Sequence, residues 1–181
     1  MGSPKPVDRR PATGQPAQPA EQEYKATVIR YTGTMKANNQ TRLATFRDGV
    51  EMLHLPVETP DRQIPFDDTV NRLPPGALYL TSREMKVYNT KDANGQTHQI
   101  MIATGKANVT LGEEFFGTGD AIKYDESKQQ LTIEGLDGRA AQARRLGFGG
   151  ANRGAIIARK IIYNRVADTV NIEGGYSGTG Q

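Results

Sequence analysis

GDAIKYD at residues 119–125 is followed by LTIEG at 131–135, and at a constant offset of 39 residues ARKIIYN at 158–164 is followed by VNIEG at 170–174. In both copies apolar residues alternate with polar ones, which is the pattern of a half-buried β-strand. A polar turn beginning with Asp or Asn follows each tyrosine, and these residues suit tight turns. The two stretches therefore predict two β-hairpins that are copies of one unit.

Looser copies of the unit precede these two. Met85–Asn89 turns through Thr90–Thr97, which contains the hairpin dipeptide Asn-Gly, and returns through residues 99–103. Thr34–Ala37 turns and returns through Leu43–Arg47. The chain is thus a run of hairpins with a unit of about 36–39 residues, which implies stacking of neighbouring units. Strands with one apolar and one polar face predict an all-β fold of antiparallel sheets.

Composition narrows the possible functions. The chain has 181 residues, no Cys, no Trp, two His and a net charge of +3. The absence of Cys excludes a disulfide framework, a thiolate zinc site and a Cys nucleophile. Two histidines leave little material for His-based catalysis, and the charge is too small to imply a polyanionic partner. We expect no enzyme, no metal, no cofactor and no nucleic-acid partner, and no stretch has the apolar length of a membrane helix.

The chain divides into a tail, one domain and a short end. Residues 1–22 are rich in Pro, Ala and Gln and predict a disordered or polyproline-like tail or linker. They contain no apolar core of a secretory signal, which leaves two interpretations, a cytoplasmic chain or a piece of a larger exported protein. The Pro/Ala/Gln-rich linker favours the second, so the chain is expected to be a fragment or a mature form. Residues 23–176 form the predicted β domain, and residues 177–181 a flexible end.

Three local segments or residues also carry predictions. Residues 54–76 carry five prolines and are predicted to be a long irregular loop. His54 and His98 are each isolated in the sequence and are expected at surface or turn positions. Gly138–Arg145 is the one helix candidate, and it is too short and poorly capped to be predicted as a helix.

The order of these short motifs resembles that of a known family. Residues 103–109 (ATGKANV), followed by Gly119–Tyr124 and Leu131–Gly135, are similar to the repeat of the OstA-like family, and Ile161–Gly174 matches again. Phe46–Glu51 resembles an earlier copy. This family comprises the lipopolysaccharide-transport proteins LptA and LptC and the N-terminal periplasmic domain of LptD. The resemblance covers roughly residues 31–52 and 78–175.

The resemblance implies a fold, a function and partners. The fold would be an antiparallel β-jellyroll of two facing sheets, open along one side like a folded taco. The protein would be a non-enzymatic, periplasmic lipid-binding and bridging domain. It would carry lipopolysaccharide or a similar amphiphile in an apolar groove toward the outer membrane. Other jellyroll domains would join it by edge-strand stacking into homo- or hetero-oligomers.

Two sets of site residues follow. The inward-facing apolar residues are expected to line the groove: Val87, Val109, Leu111, Ile122, Tyr124, Leu131, Ile133, Ile161, Tyr163, Val170 and Ile172. Residues 138–165 contain seven basic residues and no acid. Because arginine matches phosphate bidentately, this segment supplies the candidates for contact with anionic groups. They are Arg144, Arg145, Arg153 and Arg159.

Each set has a simpler interpretation, and the function has an alternative. The apolar residues could form an ordinary closed sandwich core, since any β-sandwich needs one. The arginines could lie on a solvated strand face. The same repeats could also build a structural assembly or interaction module of an envelope protein without a lipid site. A carbohydrate-active enzyme would need two carboxylates at matched spacing, and the sequence offers no such pair.

Overall fold

A computed structural model describes residues 24–92, 94–146 and 152–175. The strands are β1 (Tyr24–Arg30), β2 (Met35–Asn38), β3 (Leu43–Val57), β4 (Leu78–Lys91), β5 (Thr97–Leu111), β6 (Phe115–Asp125), β7 (Gln130–Glu134), β8 (Ala141–Leu146), β9 (Asn152–Asn164) and β10 (Thr169–Gly175), and one helix, α1, spans Phe66–Asn71. The predicted tail and the end after residue 176 lie outside the described residues. In the described part, no helix has the length and apolarity needed to cross a membrane.

All strand pairs are antiparallel and most join neighbours in sequence. The strand order is β1-β3-β4-β5-β6-β7-β9-β10, with β2 beside β3 and with β8 between β6 and β9. Both halves of the 39-residue repeat are hairpins, β6–β7 and β9–β10, in which Tyr124 pairs with Leu131 and Tyr163 with Val170. The predicted all-β class is confirmed. The helix candidate Gly138–Arg145 instead contains most of strand β8.

The long strands bend, and the bends make two layers. The register shifts between Arg47 and Val50 in β3, between Thr81 and Glu84 in β4, and between Thr104 and Ala107 in β5. Asp48, Gly49, Gly105 and Lys106 at these bulges have positive φ angles, and a bulge bends its strand. The sheet thus folds over on itself along a line of bulges, which we call the spine.

The halves of the strands on either side of the spine form the layers. The first layer contains β1, β8 and the halves of β3–β6 and β9 that pair with them; the second contains β2, β7, β10 and the remaining halves. One cluster of buried side chains fills the space between the layers, from Met52 and Leu80 on one to Met101, Tyr124 and Ile133 on the other. The core therefore occupies the position that the resemblance gives to a groove.

A second, smaller apolar cluster lies on the outer face of the first layer. Leu53, Leu55 and Val57 alternate with the inward residues of β3 and pack against Ala77 and Phe66 of α1. The segment 54–76 therefore differs from its prediction. Its first four residues belong to β3, and α1 is packed down by Phe66, because the apolar outer face of β3 needs a cover.

An ion pair and a ring contact hold α1 in place. The Arg30 guanidinium on β1 lies 4.1 Å from the centroid of the Phe66 ring and donates two hydrogen bonds to the Asp67 carboxylate, at 2.5 and 3.2 Å. Tyr79 meets the Phe66 ring edge-on and donates to Glu51 at 2.9 Å. Burial, followed by the bond to Glu51, raises the pKa of Tyr79 to about 12. The cover is thus anchored to three strands.

Replacing Phe66 by Leu tests this cover. We expect the free energy of unfolding to fall by about 1 kcal/mol, because the smaller side chain leaves a gap over β3. The matched control is Phe116→Leu, since Phe116 is 40% exposed, and its effect should stay below about 0.5 kcal/mol. Urea unfolding followed by circular dichroism measures both, and equal effects would contradict a packed α1.

Candidate functional site

The space between the layers gathers nearly all of the predicted groove residues. Buried in the inter-layer cluster are Val87, Val109, Leu111, Ile122, Tyr124, Leu131, Ile133, Ile161 and Tyr163. Val170 is partly buried against that cluster, and Ile172 is 55% exposed. The inward faces of consecutive strands are therefore continuous, and in this state the two layers are packed directly on each other.

The apolar lining continues to both ends of the strand order. Met35 on β2 pairs with the inward-facing Phe46 and is 47% exposed. Ile172 on β10 pairs with the inward-facing Ile161. Both side chains are on the inner face of the second layer, on its two edge strands. In the part of the chain that the structure describes, the interior is thus closed in its middle, and its apolar lining is half-exposed at its two ends.

Opposite the spine, polar contacts join the strand ends of the two layers. We call this line of contacts the rim. Lys25 Nζ on β1 lies 3.2 Å from Glu126 Oε1 in the β6–β7 turn. Thr27 donates to Gln99 Oε1 at 3.1 Å. Glu126 also accepts a hydrogen bond from the backbone amide of Gln99. Burial raises the pKa of Glu126, but the hydrogen bonds from Gln99 and Lys25 outweigh burial and hold this pKa below its usual value.

The two repeat tyrosines place their hydroxyls at the rim. Tyr124 donates to Gln129 Oε1 at 3.1 Å, and Tyr163 donates to Asp168 Oδ1 at 3.2 Å. Gln129 and Asp168 are also related by the 39-residue offset, and both have positive φ. Burial raises the pKa of both tyrosines. Sequence reasoning placed the tyrosines in the groove but missed their hydroxyl partners, which the same offset could have indicated.

The prediction for His54 was wrong. Its side chain is 4% exposed, on the inward face of β3 beneath the rim. Its Nδ1 lies 2.9 Å from Thr27 Oγ1, and its ring is 5.9 Å from the ring of Tyr124. Burial lowers the pKa of His54 to about 4; Glu126 raises it, and Lys25 and Arg165 lower it further. His54 occupies an inward-facing position in the alternation of β3. The nearby prolines hid this alternation in the sequence, so the burial of His54 was not predicted.

The anion-contact candidates fall into different environments. Arg144 and Arg159 are exposed on the outward faces of β8 and β9. Arg145 lies at the rim, where it forms an ion pair with Asp168. The side chain of Arg153 lies outside the described residues. Of the three side chains of this set that the structure describes, Arg145 is therefore the one at the mouth of the interior.

A separate polar cleft of about 500 Å³ lies on the spine, lined by Arg47, Asp48, Arg83, Glu84, Thr104 and Gly105. Arg47 Nε donates to Glu84 Oε2 at 2.8 Å, which lowers the pKa of Glu84. Acidic and basic groups alternate in this cleft, and it lies on the opposite side of the sandwich from the rim. Among the side chains that the structure describes, no group is arranged to hold a metal ion.

Comparison with solved structures identifies a protein of similar fold. No protein-family model matches the chain, and no curated protein matches it. Among solved structures the chain is similar to LptH from Pseudomonas aeruginosa, the LptA-homologous periplasmic component of its lipopolysaccharide transport device. The TM-score is 0.53 at 14% sequence identity, over 85% of each chain. The chain therefore has the fold of that transport component, and the predicted antiparallel β-jellyroll is confirmed.

Proposed function

We propose that this protein is a periplasmic, non-enzymatic carrier that shelters the acyl chains of lipopolysaccharide or a similar amphiphile between its two layers. The observation that carries the proposal is the continuous apolar lining, which is uncovered at Met35 on one end and at Ile172 on the other. Such a lining binds acyl chains through burial of apolar area alone. The fold shared with LptH supports the same function.

The ends of the sheet support stacking with other jellyroll domains. In the described residues, β1 pairs only with β3 and β10 only with β9. Each therefore presents a row of free backbone donors and acceptors that another strand can complete. Because the exposed inward residues lie next to these edges, stacked domains would join their interiors into one apolar path toward the outer membrane.

Site-specific photocrosslinking tests the carrier function. A photoreactive residue replaces Ile172, which faces inward, or Asn171, its outward-facing neighbour on β10. With radiolabelled lipopolysaccharide, we expect a lipid adduct at 172 and only background at 171. Met35 and Lys36 form the equivalent pair on β2. These positions are exposed, so the substitution does not disturb the core.

A second candidate function is an assembly module without a lipid site, and the closed middle of the interior favours it. That function predicts protein–protein crosslinks at 35 and 172 with no lipid adduct at either. Equal lipid labelling at inward and outward positions would indicate non-specific adsorption and would also contradict a groove.

A further inference from the structure

Arg165 at the rim has an unusual set of partners. Its Nη2 donates to the Gly76 carbonyl at 2.9 Å, and its Nη1 lies 3.4 Å from Tyr124 Oη and 3.5 Å from Gln129 Oε1. All three acceptors are neutral. In the described part of the chain, no carboxylate forms an ion pair with this guanidinium. A half-buried cation that has no paired carboxylate is unfavourable, so an anion bound at Arg165 would be favourable.

In the other copy of the internal repeat, the equivalent turn position carries a charge that is paired within the protein. The 39-residue offset relates Arg165 to Glu126, and each reaches out of a second-layer turn. Glu126 pairs with a cation, Lys25 on β1. Arg165 reaches the Gly76 carbonyl in the segment that leads into β4, and its other two acceptors are neutral as well. Among the described residues, the charge of one copy is therefore paired and that of the other is not.

The surroundings of Arg165 indicate what kind of anion would fit. Its partner Tyr124 is fully buried in the inter-layer cluster, while its contact with Gly76 is exposed. The guanidinium therefore stands at the boundary between the apolar interior and solvent. An amphiphile with its chains between the layers would present its headgroup at this boundary. Arginine binds phosphate oxygens through paired N–H donors.

We propose that Arg165 is the headgroup site of the interior, binding a phosphate group of the amphiphile in exchange for its neutral partners. This inference rests on the proposed carrier function and adds a specificity: phosphorylated lipids are preferred over neutral ones. It also changes the anion-contact set, because Arg144 and Arg159 face away from the interior.

The test compares lipid A with the same lipid A after removal of its phosphates, in neutral detergent micelles. Arg165→Gln should weaken binding of the phosphorylated form about tenfold, the effect of one lost charge-assisted hydrogen bond, and leave binding of the dephosphorylated form unchanged. Arg159→Gln is the control, since it removes the same charge from an exposed outward position, and it should change both affinities less than about twofold.

Three results would overturn the headgroup site. The first is an equal preference for phosphorylated lipid in wild type and Arg165→Gln. The second is an equal loss of affinity in Arg159→Gln. The third is tight binding of inorganic phosphate at Arg165 without any preference between the two lipids, which would identify a free-phosphate site. If wild type binds neither lipid, the carrier function itself fails.

Folding controls keep the result interpretable. Arg165 also joins the layers, so each variant is checked by circular dichroism and thermal unfolding. Where Arg165→Gln does not fold, Arg165→Lys replaces it, because lysine keeps the charge but loses the paired donors. That variant should retain a reduced preference for phosphate; an unchanged preference would contradict bidentate recognition by the guanidinium.

Discussion

Ile133→Asp is expected to abolish cooperative folding. The Ile133 side chain is fully buried between the layers, paired with Ile122 and Ile161 on its neighbours. A carboxylate there has no partner, and an unpaired buried charge costs several kcal/mol. Domains of this size have only about 5–15 kcal/mol of stability. Urea titration followed by circular dichroism should show no sigmoidal transition for this variant.

The adjacent Thr132 supplies the control for this experiment. It is on the outward face of β7, so Thr132→Asp should keep a cooperative transition close to that of wild type. Ile133→Val adds a graded point, with an expected loss of about 1 kcal/mol. If Ile133→Asp unfolded cooperatively with little loss, the interior would be hydrated at rest and the groove would stand open without a lipid.

The expected unfolding bears on how a carrier of this kind could work. A packed interior and a lipid-filled interior use the same side chains, so the layers must separate for chains to enter. The spine keeps them covalently continuous through β3, β4, β5, β6 and β9. Within residues 24–92, 94–146 and 152–175, the rim joins them by side-chain contacts such as Lys25–Glu126, which are weak individually. The two layers are therefore expected to separate at the rim and to stay joined at the spine.

The sequence predicts the strands and their inward faces well, because alternation reports directly which side of a strand is buried. The repeat adds more than alternation does, since it places Tyr124 and Tyr163 in equivalent positions before the strands are known. Both predictions depend on interactions within a few residues, or on copies of one unit. Such signals are visible in a single sequence.

The features that sequence reasoning missed depend on contacts far apart in the chain. His54 is buried because β1 and the turn after β6 close over it, and Arg165 reaches Gly76 across 89 residues. At the bulges, Asp48 and Lys106 share the positive φ of the neighbouring Gly49 and Gly105, and residues with side chains rarely adopt this conformation, so the identity of these two residues did not mark the bulges. The packing of α1 depends on Arg30, which precedes its partner Asp67 by 37 residues.

Lowering the pH from 7 to 4 is expected to destabilise the protein through His54. Its folded-state pKa is about 4, against 6.5 when unfolded, because burial disfavours the imidazolium. The contribution of neutral His54 is therefore complete above about pH 6.5. It is lost as the pH falls toward 4, since only the unfolded state takes up the proton there. The expected loss is about 3 kcal/mol.

The comparison that isolates this effect is His54→Gln against His98→Gln, each titrated by urea unfolding between pH 7 and pH 4. Gln can keep a hydrogen bond to Thr27 but does not titrate, so the slope of unfolding free energy against pH should flatten in that window. His98 is half-buried beside Asp92 at the outer end of β5, whereas His54 is fully buried, so His98→Gln should change the slope less than His54→Gln does. Carboxylates with lowered pKa, such as Glu126, lose their contribution only below about pH 4.5. Equal slopes for wild type and His54→Gln would mean that Glu126 compensates the charge on His54 in the folded protein, and that the rim tolerates an imidazolium beneath it.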